Sequence, residues 1–112
     1  MKNEALKGHL DLLLLTALAG GPAHGYLVIQ ALRRLSEGAF DLPEGTVYPA
    51  LHRLERAGLL QSHWSNAETR RRRIYALTPQ GRVALAGYRR DWATFSRGVN
   101  AVLGGAQWPS PA

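Results

Sequence analysis

Four adjacent arginines, Arg70, Arg71, Arg72 and Arg73, form the densest cluster of charge in the sequence. A guanidinium is always charged and presents a planar fork of N–H donors, so four in a row suit phosphate oxygens better than any single carboxylate. The bland alternative is a solvated charged loop. A second group lies upstream, where Tyr48, Pro49, His52, Arg53 and Arg56 share the polar side of one stretch, with Glu55 as counter-charge. His52, Arg53 and Arg56 are long enough to meet base edges or the flanking backbone of a nucleic acid, while Tyr48 and Tyr26 can donate to phosphate oxygens. Thr46 belongs to the same candidate DNA-binding set. For Tyr48, burial against Leu51 or Leu54 competes with that role.

The remaining chemistry is sparse. Eight acidic residues, Glu4, Asp11, Glu37, Asp41, Glu44, Glu55, Glu68 and Asp91, are scattered with no pair at a spacing useful for acid–base work, so no enzyme is expected. His9, His24, His52 and His63 lack metal-ligand spacing. His24 is better placed to cap or orient a helix than to titrate. The absence of cysteine excludes disulfides, thiolate zinc sites and a cysteine nucleophile, so neither a metal nor a cofactor is expected. A formal net charge of +6 over 112 residues favours a polyanionic partner, most economically double-stranded DNA. Leu12 to Leu18 is apolar but far shorter than the ~20 residues of a membrane span, so a cytoplasmic protein without membrane association is expected.

These side chains need elements to hold them. Between Glu44 and Ala57, Val47, Ala50, Leu51 and Leu54 fall at i, i+3, i+4 and i+7, which predicts a helix with one buried stripe and an outward polar face. Gly58 suits a left-handed cap. Pro49 removes a helical hydrogen bond, so either the helix begins later than Glu44 or its first turn is irregular. Upstream, Asn3 can cap a first helix running to about Leu18, with Leu6, Leu10, Leu13, Leu14 and Ala17 on one face. Gly20-Gly21-Pro22 breaks it. A second helix is predicted from His24 or Gly25 to Leu35 or Ser36, with Leu27 or Val28, Ala31, Leu32 and Leu35 inward and Glu37-Gly38 as its end. Downstream, Leu60, Ser62 and Trp64 alternate with polar residues, Ser65 to Thr69 form a tip, and Arg73, Tyr75 and Leu77 alternate on the return, predicting a hairpin that leans on the helices.

Thr78-Pro79 is a helix start, threonine as cap and proline in the first turn. The helix it opens is predicted to reach about Leu103, ended by Gly104-Gly105, with a disordered tail over residues 105–112. Leu85, Tyr88, Trp92, Phe95, Val99 and Val102 are spaced 3, 4, 3, 4, 3, a heptad seam that needs a second helix. A helix of ~25 residues would reach ~37 Å, beyond the edge of so small a domain, so the seam most simply packs on a second copy of the chain. The order of elements is a winged helix-turn-helix, mainly α with a small β-hairpin wing. Residues 1–77 form the expected DNA-binding domain and 78–104 the expected dimerisation helix.

The motifs HGY at His24 to Tyr26, EGTVYPALHRLERAGLL at Glu44 to Leu60, RRRIYALTPQG at Arg71 to Gly81, and Trp92 eleven residues beyond that glycine together resemble the PadR family of bacterial transcriptional regulators, in its short form with a single C-terminal helix. The resemblance covers roughly Leu10 to Leu103. It implies a homodimeric repressor that binds a palindromic operator and releases it when a small molecule binds. It also implies a dimer formed through the first and last helices, here Leu6, Leu10 and Leu13 with Leu85, Tyr88, Trp92, Phe95, Val99 and Val102. In the multidrug-sensing type, the tryptophan matching Trp92 sandwiches flat aromatic compounds with its copy, and positions matching Gly8, Asp11 and Leu12 line the same space. The last helix is expected to end soon after Leu103, without a long C-terminal domain. The rival expectation is a winged helix whose basic face meets an acidic protein rather than DNA.

Overall fold

Leucine spacing decides where the core lies. The computed structural model describes Leu6, residues 8–66 and residues 71–105. Its elements are α1 (Leu10–Ala19), β1 (Ala23–His24), α2 (Gly25–Leu35), α3 (Glu44–Arg56), β2 (Leu60–Trp64), β3 (Arg73–Leu77) and α4 (Pro79–Gly105). Leu14, Leu15 and Leu18 of α1 meet Val28 and Leu32 of α2, Val47, Leu51 and Leu54 of α3, and Tyr75 of β3 in one core. The architecture is the expected mainly helical fold with a small antiparallel sheet.

The first helix differs from expectation. Leu6 is helical, but Gly8 and His9 form a turn, closed by the His9 N–H donating to the Leu6 carbonyl at 2.8 Å, and α1 starts anew at Leu10, so the single expected helix is interrupted. Glycine is costly inside a helix, and the chain breaks at it. Asn3 lies outside the described residues, as do Arg70, much of the expected wing tip and all of the expected tail beyond residue 105.

Helix α2 buries Val28 and Leu32, leaving Leu27 and Leu35 exposed, so the inward placement of Leu35 is corrected: it lies in the last turn, past the core. The helix ends in paired reversals, Glu37 N–H to the Arg34 carbonyl and Gly38 N–H to the Arg33 carbonyl, with Glu37 at φ 54°.

The hairpin has the alternation read from the sequence. Leu60 pairs with Leu77, Ser62 with Tyr75 and Trp64 with Arg73. The sheet also has a strand that periodicity did not reveal: β1 pairs antiparallel with β3, Ala23 opposite Tyr75 and His24 opposite Ile74, giving the order β1-β3-β2. Beyond the sheet, Thr78 caps α4 as expected, its hydroxyl accepting from the Gly81 N–H at 2.9 Å and donating to the Gly58 carbonyl at 2.6 Å.

Among the described residues, α4 is fully buried only at its start, at Gly81 and Leu85. Leu6 and Leu85 are already enclosed within a single chain, 6% and 5% exposed, and pack in its core. The later seam positions, Tyr88, Trp92, Phe95, Val99 and Val102, are all exposed. Among the described residues, no helix is long and apolar enough to cross a membrane.

Candidate nucleic-acid interface

Helix α3 begins at Glu44, with the Pro43 carbonyl accepting from the N–H groups of Thr46 and Val47 at 3.0 and 3.1 Å. It runs through Pro49 without ending. It stops in a full reversal: Leu59 N–H donates to the Leu54 carbonyl and Gly58 N–H to the Glu55 carbonyl, each at 3.0 Å, with Gly58 at φ 81°. Val47, Ala50, Leu51 and Leu54 are buried. Turning away from that stripe, Gly45, Pro49, His52 and Arg56 are exposed. Tyr48 and Arg53 flank this outward face on opposite sides.

On the Tyr48 side, α3, the start of α2 and the wing enclose a cleft of about 810 Å³ lined by His24, Tyr26, Tyr48, His52 and Trp64, the arginines Arg71, Arg72 and Arg73, and the acids Glu44 and Glu55. Cations outnumber anions there. Tyr48 is half-buried because its ring lies on Gly25, where a Cβ would collide with it. Its partner is therefore the start of α2, and not only the core leucines. Tyr26 stands exposed at the mouth, stacked near His24 with ring centroids 6.4 Å apart.

The described arginines of the run take three different positions. Arg71 lies over the Trp64 ring at 5.0 Å and is otherwise exposed. Such stacking leaves the edge of the guanidinium open to an anion. Arg72 contacts His24 Nε2 at 2.7 Å. His24 also caps α2, its Nδ1 accepting from the Leu27 N–H at 3.3 Å. A neutral imidazole has one acceptor nitrogen, so these two contacts compete for it. Arg73 donates to Ser62 Oγ at 2.8 Å and approaches Glu55 Oε2 at 3.7 Å, while Ser62 donates to the same carboxylate. Arg73 thus fastens the wing to α3. Burial raises the pKa of Tyr75 beneath this network, with the Glu55 charge adding and Arg73 opposing.

On the other flank, Arg53 turns from the cleft to α1. Its Nη1 and Nη2 donate to the two Asp11 carboxylate oxygens at 3.1 and 2.5 Å. The bond to Asp11 raises the Arg53 pKa, partial burial opposing. Two residues before Asp11, His9 sets its ring edge-on to Trp92 at 5.0 Å and near Phe95 at 6.4 Å. Asp11 and Leu12 are half-buried and Gly8 exposed. Thr46 is half-buried on the Arg53 flank.

Sequence reasoning missed Gly45, Glu55 as an anchor, Ser62, Trp64 and His9. A helical wheel would have found Gly45, and the alternation put Trp64 on the Leu60/Ser62 face, though not its pairing with Arg73. Nothing local signals His9 against Trp92. Among the described residues, no group of three or more metal-ligating side chains could hold an ion.

A family model described as the transcriptional regulator PadR-like family matches residues 14–87. The chain is 41% identical over 87 residues to the transcriptional regulator Rv3488 of Mycobacterium tuberculosis, across 78% of this chain and 76% of that one. It resembles the crystal structure of a PadR family transcriptional regulator from Eggerthella lenta, with a TM-score of 0.78 and 31% identity over 92% of this chain and 88% of the other. A PadR family transcription regulator from Clostridium difficile aligns with a TM-score of 0.75 and 31% identity, over 86% of this chain and 99% of its own.

Proposed function

The chain belongs to the PadR-like family of transcriptional regulators, and from that premise we propose that it is a homodimeric repressor gripping a palindromic DNA operator. Two α4 helices pack along Tyr88, Trp92, Phe95, Val99 and Val102 and hold two α3 helices ~34 Å apart, one in each of two successive major grooves. The observation that carries this reading is the exposure of that stripe: Trp92, Phe95 and Val102 are 43%, 58% and 67% accessible in the single chain. A contiguous bulky apolar stripe at heptad spacing is what a helix presents to a partner helix.

On the DNA, Arg71 and Arg72 neutralise phosphates beside the groove, Tyr26 and Tyr48 donate to the backbone, and His52 and Arg56 reach base edges. Arg73 positions the wing. A flat aromatic effector stacks on Trp92 beside Gly8, Asp11 and Leu12, in the space that the His9 ring now shares. It releases the operator only to the extent that it binds the DNA-free geometry better than the DNA-bound one.

Sedimentation equilibrium at micromolar concentration in moderate salt tests the dimer, and a monomer there overturns the mechanism. Mobility shift of the protein's own promoter fragment tests the DNA reading, with large weakening expected for the Arg71→Ala/Arg72→Ala double variant. Unchanged binding by that variant, or wild-type affinity that is weak and indifferent to salt, would favour an acidic protein partner instead.

A further inference from the structure

The outward face of α3 contains a glycine that the fold does not need. Gly45 is absent from the positive-φ glycines, so its backbone suits any residue. A Cβ built on it meets nothing within 4 Å, so packing does not demand glycine either. Gly25 and Gly81 are different, since a side chain there would strike the Tyr48 ring and the Leu59 carbonyl. Glycine is a poorer helix residue than alanine, and neither its backbone angle nor side-chain packing asks for it at position 45; the one neighbour in the chain that bears on it is Pro49, which deprives the Gly45 carbonyl of its hydrogen bond. One turn later comes Pro49, exposed on the same face and also a poor residue for a helix interior. On the line of α3 that runs from Gly45 through Pro49, the first two turns present only small side chains to solvent, and the long ones, His52 and Arg56, come later.

A close approach of the backbone to something outside the chain also calls for glycine, and Gly45 lies on the outward face of α3 where such an approach can happen. A helix with its side chains is roughly 10–12 Å across, and the major groove is roughly 12 Å wide. A helix therefore enters deeply only where its leading face is thin. We propose that Gly45 is the point of closest approach between α3 and DNA, a specificity-determining position where bare main chain meets base edges in van der Waals contact. This rests on reading the chain as a DNA-binding regulator. The flat Gly45–Pro49 surface sets how deep the helix sits, and that depth fixes which bases His52 and Arg56 can reach.

The test uses the full chain and duplexes that it enriches from a randomised pool. Gly45→Ala should melt at or above the wild-type temperature and bind these duplexes at least tenfold more weakly. Its slope of log K against log salt should be unchanged, because no phosphate contact is lost. Gly45→Leu should bind more weakly still. Arg71→Ala, by contrast, should lower the salt slope. The assignment is overturned if both Gly45 variants bind within twofold of wild type, or if Gly45→Ala melts lower, which would mean that the fold itself requires the glycine. Failure of the wild type to bind any duplex in a salt-dependent way would overturn the regulator reading and this assignment with it.

Discussion

Replacing Asp11 by asparagine should make DNA binding more sensitive to salt. Arg53 is a basic residue of α3, the helix proposed to read DNA, yet both its terminal nitrogens are engaged by the Asp11 carboxylate, at 3.1 and 2.5 Å. Asparagine keeps the shape and removes the charge, so the guanidinium is released on the flank of α3, where its side chain is already 53% exposed. Each additional phosphate neutralised on B-DNA steepens log K against log salt by roughly 0.9. The stability effect is small. Exposed ion pairs contribute about 0.2–1 kcal/mol, and the paired geometry with Asp11 only 25% exposed puts this one in the upper half, about 0.5–1 kcal/mol. A double-mutant cycle with Asp11→Asn and Arg53→Gln, followed by urea unfolding, should return a coupling of that size. In 1 M salt, where the screening length is ~3 Å, the coupling should shrink. Because the Arg53 pKa is raised, the arginine's contribution is complete at neutral pH and is lost only in strong alkali. The reasoning fails if Asp11→Asn leaves the salt slope unchanged while Arg53→Gln alone lowers it by about 0.9, since Arg53 would then already sit on a phosphate in the wild-type complex.

Three further outcomes follow from single positions. Gly81→Ala sets a Cβ against the Leu59 backbone carbonyl, a neighbour that cannot rotate away, and should cost about 1–3 kcal/mol by chemical denaturation. Glu37→Gly relieves a non-glycine residue held at φ 54° and should stabilise the fold by about 0.5–1 kcal/mol, read as a rise in the urea midpoint; no rise would mean that the Glu37 side chain compensates for its backbone. Tyr75 has a raised pKa, so its contribution is complete below the ordinary phenol range and is lost as pH rises through the raised value. Tyr75→Phe should therefore flatten the fall in stability above pH ~10, and equal slopes for the two proteins would refute the burial argument.

Faces were legible in the sequence and partners were not. The stripe Val47, Ala50, Leu51, Leu54 gave α3 its orientation, Gly58 its end, and Thr78-Pro79 the start of α4, because each depends on residues within about a turn of one another. Alternation put Leu60, Ser62 and Trp64 on one face for the same reason, while the pairing of Trp64 with Arg73 came only with the register of the sheet. Strand β1 has only two residues, too few for any period, and exists through its pairing with β3. Pro49 left the start of α3 undecided because the sequence does not say what happens to the hydrogen bond it removes; the helix starts at Glu44 and runs through it. The arginines showed the limit most clearly. Composition marks Arg53, Arg71, Arg72 and Arg73 as equals, yet Arg53 is set apart by an aspartate 42 positions away and Arg72 meets a histidine 48 positions away.

Those long-range pairs converge on the start of α1. His9 touches the exposed aromatic stripe of α4, and Asp11, two residues later, holds Arg53 of α3. Two residues of helix advance only ~3 Å, and Leu14, Leu15 and Leu18 anchor the rest of α1 in the core. A packed core resists continuous deformation. A displacement of His9 by whatever covers Trp92 is therefore absorbed at the first turn of α1, where the nearest strong attachment is the Asp11–Arg53 pair. On the proposed mechanism, this turn links the seam between subunits to the reading helix, and severing the pair should weaken effector-driven release more than it weakens folding.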